Sequence, residues 1–440
     1  MSTRPSRVVS WLARTIAAVF YRIERAGGPV PAGPVLLVVN HPNAMLDPAV
    51  VWTTAGREVR FLAKSTLFSR HVMAPIVRRT GAIPVYRRMD EGADMSRNAE
   101  TFAAVEDALD SGGCVCVFPE GLTHEHGRIQ PLRTGAARMA LDALGRGVRV
   151  AIVPVGLNFE QRTTFRSRVT VLYGRPFFAD DLGDLARQDP PAAARALTDR
   201  IAAALRRLVV EADPKADARL IARVDRLYTA ARHAPVDPAS RVQRRRVIAK
   251  GIDRLRAEDP ERFRALVERI AAYDSRRRRF GLRDRDLDWA VSWRRSLRFA
   301  LRELLLGSVL LPLAALGVLL FGVPYFVTGY VARRFAEDLS THASVEALGG
   351  GAIYGVWMLL LSAAVARVTS WRVGAAVFLT LPFAAFAALA AFEREAAVIR
   401  TVLSWLAVTR APASARRRLA RQQADIAEVL EEVRDWVLKC

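Results

Sequence analysis

The sequence predicts an α/β domain, then a basic helical region, then C-terminal transmembrane helices, along 440 residues. Three observations predict this order. Between residues 29 and 185, short β-branched runs alternate with helically spaced apolar positions, the pattern of strands separated by helices. Residues 186–302 carry 30 basic against 16 acidic side chains, more than half of the net charge of +22. Three uncharged stretches follow, at 304–332, 347–366 and 373–392.

In residues 1–28, Val8, Leu12, Ile16, Val19 and Ile23 recur at helical spacing among Arg4, Arg7, Arg14, Arg22 and Arg25. This predicts an amphipathic helix, lying in a membrane interface or packed on the domain that follows. Arg14 interrupts the apolar core and no small-residue cleavage site follows, which argues against a secretory signal. From 29 to 185, strands are expected at 35–39, 82–86, 114–118, 150–155 and 169–173. Helices are expected at 97–109 and 134–144. The basic region reads as several helices, for instance 192–210 after a break at Pro190-Pro191, and 241–270.

Each uncharged stretch is long enough to cross about 30 Å of hydrocarbon as a helix rising about 1.5 Å per residue. Residues 303–395 are therefore expected to be the membrane region of an integral membrane protein. The excess of arginine before it places that flank, and the α/β domain with it, on the cytoplasmic face. Pro312 and Pro324 suggest that the first run is re-entrant or interfacial, leaving two full spans. In the tail, 396–440, Ile426, Leu430, Val433 and Val437 form a short helical stripe expected to pack locally.

Composition narrows the function classes. An apolar content of 51% excludes a disordered chain. The 3 cysteines, Cys114, Cys116 and Cys440, form no disulfide framework and no zinc set. His124 and His126 flank Glu125, too few ligands for a metal site. The basic excess calls for an anionic partner: nucleic acid, membrane lipid or phosphorylated substrate. Nucleic acid is disfavoured, because the aromatics of 186–302 are sparse and not interleaved for base stacking.

Polar residues at strand ends are the natural site candidates. His41 and Asp47 follow the first strand, six positions apart. A carboxylate on one imidazole nitrogen leaves the other free to take a proton from a hydroxyl. Arg87 and Arg88 end a second strand, with guanidiniums suited to a phosphate. Phe118-Pro119-Glu120-Gly121 ends a third and Val153-Pro154-Val155-Gly156 closes a fourth.

As an ordered set these four blocks resemble the glycerolipid acyltransferases, and their text is closest to the branch of fungal-type glycerol-3-phosphate acyltransferases. The first block differs by one residue: the family places Asp five positions after His, whereas Asp47 is six after His41. The second block falls on Gly81, Ile83, Val85 and Arg87. The third is intact at 118–121, but Leu122, Thr123 and His124 replace the usual Thr-Arg-Ser. The fourth continues through Gly156-Leu157-Asn158-Phe159 to Phe165-Arg166-Ser167-Arg168, again fungal-like.

The resemblance implies a mixed sheet flanked by helices over about a third of the chain. It implies His41 as base and Asp47 as its orienting partner. Arg87 would hold the acceptor phosphate, Glu120 and Gly121 would position the glycerol portion, and Pro154 would shape the pocket floor. Lys64 is either a neighbour of the phosphate or a plain surface lysine. The expected donor is an acyl thioester on coenzyme A or acyl carrier protein, with no cofactor and no metal. The expected acceptor is glycerol-3-phosphate, with lysophosphatidate as the alternative. Anionic membrane lipids are the partner expected for the basic stretch, and a membrane-anchored nucleic-acid binder or scaffold is the reading from another class.

Overall fold

The computed structural model describes residues 6–69, 74–86, 95–123, 127–212, 215–288, 293–335 and 339–439. The chain divides into two compact units. Unit 1 comprises Met1–Ala218, Asp237–Arg246 and Ala336–Ala347, and unit 2 comprises Arg219–Val236, Val247–Phe335 and Leu348–Cys440.

Unit 1 begins with α1 (Arg7–Phe20), β1 (Tyr21–Gly27), β2 (Val35–Val39), α2 (Leu46–Thr54), β3 (Arg60–Lys64), α3 (Ala74–Arg79) and β4 (Ile83–Val85). It continues with α4 (Asn98–Asp110), β5 (Cys114–Val117), α5 (Gly135–Gly145), β6 (Ala151–Phe159), β7 (Ser167–Tyr173), α6 (Gly183–Gln188) and α7 (Pro190–Arg206). The strands form one 7-stranded sheet in the order β1-β7-β6-β2-β5-β3-β4. All neighbours are parallel except β6 and β7, which run antiparallel, so the sheet is mixed as expected. Central β2 is buried along its whole length. Leu37 and Val39 point into one core with α2, and Leu36 and Val38 into another with α4, α5 and α7. That two-sided burial explains the unbroken apolar run, as in parallel strands covered on both faces.

Two expectations about unit 1 are corrected. The N-terminal helix stops at Phe20, and Tyr21–Gly27 is the sheet's edge strand, paired with β7 from Tyr21↔Ser167 to Gly27↔Tyr173. Phe165-Arg166-Ser167-Arg168 forms the junction: Arg166 N–H donates to Phe20 O at 2.6 Å, and Arg168 pairs with Glu24 at 3.0 Å. The sheet domain also extends past residue 185. Ala193, Leu197, Ile201 and Leu205 of α7 belong to its core, and Asn158 of β6 clamps the chain that follows α7. Its Nδ2 donates to Leu208 O and its Oδ1 accepts from Val210 N–H, both at 2.8 Å.

The remaining helices are α8 (Lys215–Arg232), α9 (Pro238–Glu258), α10 (Pro260–Arg279), α11 (Trp293–Phe335), α12 (Leu339–Val368), α13 (Trp371–Arg410) and α14 (Ala413–Leu438). The helix expected over 241–270 is two. Pro260 cannot supply the N–H that would continue α9, and Asp259 caps α10 by accepting from Arg262 N–H at 2.9 Å. Pro190 likewise opens a helix, capped by Asp189. In unit 2, Val224, Leu227, Leu266, Ile270 and Tyr273 share a core with Leu419, Ile426 and Val433 of α14, as the stripe of the tail predicted. A half-buried ion cluster adds to it: Arg223 pairs with both Asp274 and Asp284.

Among the described residues, three helices are long and apolar enough to cross a membrane: Leu301–Phe335, His342–Val368 and Trp371–Arg410. The re-entrant first run is not observed, since α11 continues through Pro312 and Pro324. Thr328 Oγ1 donates to the Pro324 carbonyl at 2.7 Å one turn on, and Trp357 Nε1 donates to Leu320 O at 2.7 Å. Such neighbouring donors let a long apolar helix keep its prolines. Gly317 lets α11 meet α13, because a Cβ there would stand 2.3 Å from the Ala388 Cβ.

Candidate active site

The site is built at the C-terminal ends of β2 and β5. Asn40 closes β2 onto β6 with two bonds: its Nδ2 donates to Leu157 O at 3.1 Å and its Oδ1 accepts from Leu157 N–H at 2.7 Å. His41 leaves this clamp with its backbone N–H donating to Glu120 Oε1 at 2.9 Å. Its ring lies on the Phe118 ring, centroids 4.1 Å apart and planes 20° apart, and Phe118 in turn stacks on Phe61. Backbone and ring are thus both fixed before any side-chain polar contact is counted.

The polar contact is the predicted one. His41 Nδ1 and Asp47 Oδ2 are 2.9 Å apart, although six residues separate them. Asp47 lies in the first turn of α2 and is wholly buried, whereas the His41 side chain is 17% exposed. With Nδ1 donating to the carboxylate, Nε2 is left as the acceptor for a substrate proton. Burial pushes the Asp47 carboxyl up from its usual range, and the bonds from His41 and from Asn43 N–H pull it back.

A second layer holds the loop. Asn43 N–H donates to Asp47 Oδ2 at 2.7 Å, and Asn43 Nδ2 donates to the Tyr21 hydroxyl at 2.6 Å. Burial holds the Tyr21 phenol well above its ordinary value. It therefore stays a donor, and it bonds the Arg162 carbonyl. Arg162 Nη1 donates back to Pro42 O at 3.4 Å. Sequence reading missed Tyr21, Asn40, Asn43 and Arg162. Only the two asparagines flanking His41 and Pro42 offered a local sign, since asparagine side chains readily bond nearby backbone.

Glu120 is placed differently from the expectation. It is 2% exposed, and its second oxygen accepts from Gln130 N–H at 2.8 Å. Both oxygens thus hold backbone, one of them that of His41. Gly121 has φ +72°, and a Cβ there would stand 3.3 Å from Arg133 Cγ. Arg133, also missed, brings an exposed side chain to Gly121. Pro154 is buried in β6, paired with Val38.

Lys64 ends β3 in register with Val85, the last residue of β4. Arg87 and Arg88, two and three residues beyond β4, lie outside the described residues, as do His124, Glu125 and His126. Tyr86 is held by Asn98, whose side chain donates to Tyr86 O at 2.9 Å and accepts from Tyr86 N–H at 3.1 Å. Among the described residues, no three His, Cys, Asp or Glu side chains converge on a metal position.

Residues 22–158 match the family model described as Acyltransferase. The chain is 40% identical over 101 residues to glycerol-3-phosphate O-acyltransferase 2 of Saccharomyces cerevisiae, covering 22% of this chain and 14% of that one. To glycerol-3-phosphate O-acyltransferase 1 of the same yeast it is 25% identical over 263 residues, 58% and 34% of the two chains. To the lyso-ornithine lipid O-acyltransferase of Brucella abortus it is 30% identical over 159 residues, 35% and 55%. The matches therefore span about a third or less of the two yeast relatives.

Proposed function

We propose that the protein moves a fatty-acyl group from a thioester to the hydroxyl of sn-glycerol-3-phosphate, a reading supported by the match of residues 22–158 to the acyltransferase family model. The observation that carries this reading is the His41–Asp47 pair, 2.9 Å apart with the imidazole held flat on Phe118 and partly open to solvent. The names of the two yeast relatives support the acceptor.

In the proposed reaction His41 Nε2 takes the acceptor hydroxyl proton as the oxygen attacks the thioester carbonyl carbon. The tetrahedral intermediate then expels the thiolate. The C–S bond breaks, the ester C–O bond remains, and the imidazolium returns its proton to sulfur. General-base assistance of this kind contributes about 10²–10⁴-fold in rate. Asp47 fixes the ring and its tautomer, while Glu120 fixes the His41 backbone. Arg87, Lys64 and Arg133 would supply the charge that receives the acceptor phosphate, with Gly121 leaving room beside Arg133. The donor is coenzyme A or acyl carrier protein, whose phosphates suit a basic protein, and the chemistry asks for neither cofactor nor metal.

The product is a lipid, in keeping with three membrane-length helices. We place the catalytic domain on the cytoplasmic face, from the arginine-rich flank of the first span. Anionic lipid would meet that flank and α1, where Val8 and Trp11 are exposed beside Arg7. A lysophospholipid acceptor is the second reading, favoured by the Brucella relative.

Purified protein offered acyl-CoA or acyl carrier protein with glycerol-3-phosphate, lysophosphatidate or lyso-ornithine lipid separates these readings. Lysophosphatidate formed from glycerol-3-phosphate is expected. Acylation of lysolipids alone would replace the first reading by the second, and no acylated product from any pair would remove both.

A further inference from the structure

The turn between His41 and Asp47 contains a backbone conformation that its residue does not favour. Ala44 has φ +38°, in the left-handed region that glycine adopts freely and alanine does not. This is where the residue in excess of the family's spacing is absorbed. With Ala44 turned left-handed, Asp47 reaches Nδ1 from six positions away. Both flanking peptides are pinned. Before Ala44, Asn43 O accepts from Leu46 N–H at 3.1 Å, while Asn43 N–H donates to Asp47 Oδ2 at 2.7 Å, the oxygen that also faces His41. After it, Met45 N–H donates to Ser344 Oγ at 3.2 Å.

Ser344 stands 299 residues from Met45 in sequence, in the first turns of α12, which belong to unit 1. Its neighbours Ala343 and Ala347 are buried in the same core as Val39, Leu46, Ala49 and Val50. Small side chains let this helix lie against the loop, so a hydroxyl as short as serine's reaches the backbone.

We propose that Ser344 is a positioning residue for the His41–Asp47 pair: its hydroxyl holds the left-handed turn at Ala44 and so keeps Asp47 within reach of the imidazole. The inference rests on the acyl-transfer reading given above. It makes the chemistry of a site at one end of the chain depend on a helix that begins nearly three hundred residues later.

The test uses the full-length protein in detergent and compares Ser344→Thr with Ser344→Val, which differ in the hydroxyl at nearly equal volume. The Val variant is expected to lose about three- to tenfold in kcat relative to Thr, with acceptor and donor KM within twofold. Adding Ala44→Gly to Ser344→Val relieves the turn and should return most of the lost kcat. Thermal unfolding midpoints of the two Ser344 variants should agree. Equal kcat for Thr and Val, or a loss that Ala44→Gly leaves untouched, would overturn the inference while the wild-type activity stood. A wild-type protein that transfers no acyl group would remove the acyl-transfer reading and this inference with it.

Discussion

Replacing Glu120 by glutamine separates two roles for a residue whose motif suggests substrate contact and whose geometry suggests support. The carboxylate is buried, with Oε1 accepting from His41 N–H at 2.9 Å and Oε2 from Gln130 N–H at 2.8 Å. Glutamine can satisfy only one of them, and its NH2 group then faces a backbone N–H. A hydrogen bond to a charged group contributes about 1.5–3 kcal/mol, and a buried donor left unpaired costs about 1–3 kcal/mol. These overlap, so a net loss of about 2–4 kcal/mol is expected, or roughly 5–15 °C in the melting midpoint of a domain of this size. Where the amide oxygen keeps Gln130, His41 loses its anchor and kcat falls as well. The assay is a thermal melt in detergent beside initial rates across acceptor concentration. A Glu120→Gln variant that melts like the wild type and differs only in a raised acceptor KM would refute the supporting role.

Three other substitutions test neighbouring parts of the account. Asp47→Asn can keep both bonds made by Oδ2, and Oδ1 has no partner to lose, so it should fold while kcat falls about 10²–10⁴-fold. Burial raises the Asp47 carboxyl, so its ionisation costs the folded state stability as pH climbs above the ordinary carboxylate range. Relative to wild type, the Asn variant's melting midpoint should therefore improve from acid to neutral pH, and an opposite trend would show the carboxylate charge to be stabilising. Arg133→Gln should raise the KM for a phosphorylated acceptor about tenfold with kcat within threefold, as loss of one charged phosphate contact predicts; an unchanged KM would place Arg133 outside the phosphate site. Gly156→Ala would put a Cβ 2.5 Å from Leu208 O. An overpacking cost of about 1–3 kcal/mol should then appear in the melt, and a wild-type melt would show that the chain after α7 can give way.

The sheet was legible where its strands carry their burial in their own residues. Val35–Val39 and 114–118 are apolar throughout because both faces are covered. Tyr21–Gly27 was not legible: it is an edge strand bearing Arg22, Glu24 and Arg25, and its apolar positions continue the period of α1. Arg60–Lys64 is short and has a cation at each end. Of the site, His41 and Asp47 were readable because the chemistry and the backbone turn sit in one local motif, whereas Glu120 stood out in its own block but its hold on the His41 backbone, 79 residues away, did not. Tyr21, Arg162 and Ser344 were not, since each reaches the loop across a long sequence interval and leaves no local pattern. The left-handed turn at Ala44, within the interval between His41 and Asp47, was not legible either, since alanine gives no sign of a positive φ.

The central claim is that His41 takes the proton in an acyl transfer to a glycerol phosphate. Single-turnover transfer of labelled acyl from its thioester to glycerol-3-phosphate, compared between wild type and His41→Ala at matched folding, tests it most directly. Lysophosphatidate is expected from the wild type, and a rate at least about 10²-fold lower from the variant. Undiminished transfer by His41→Ala would contradict it.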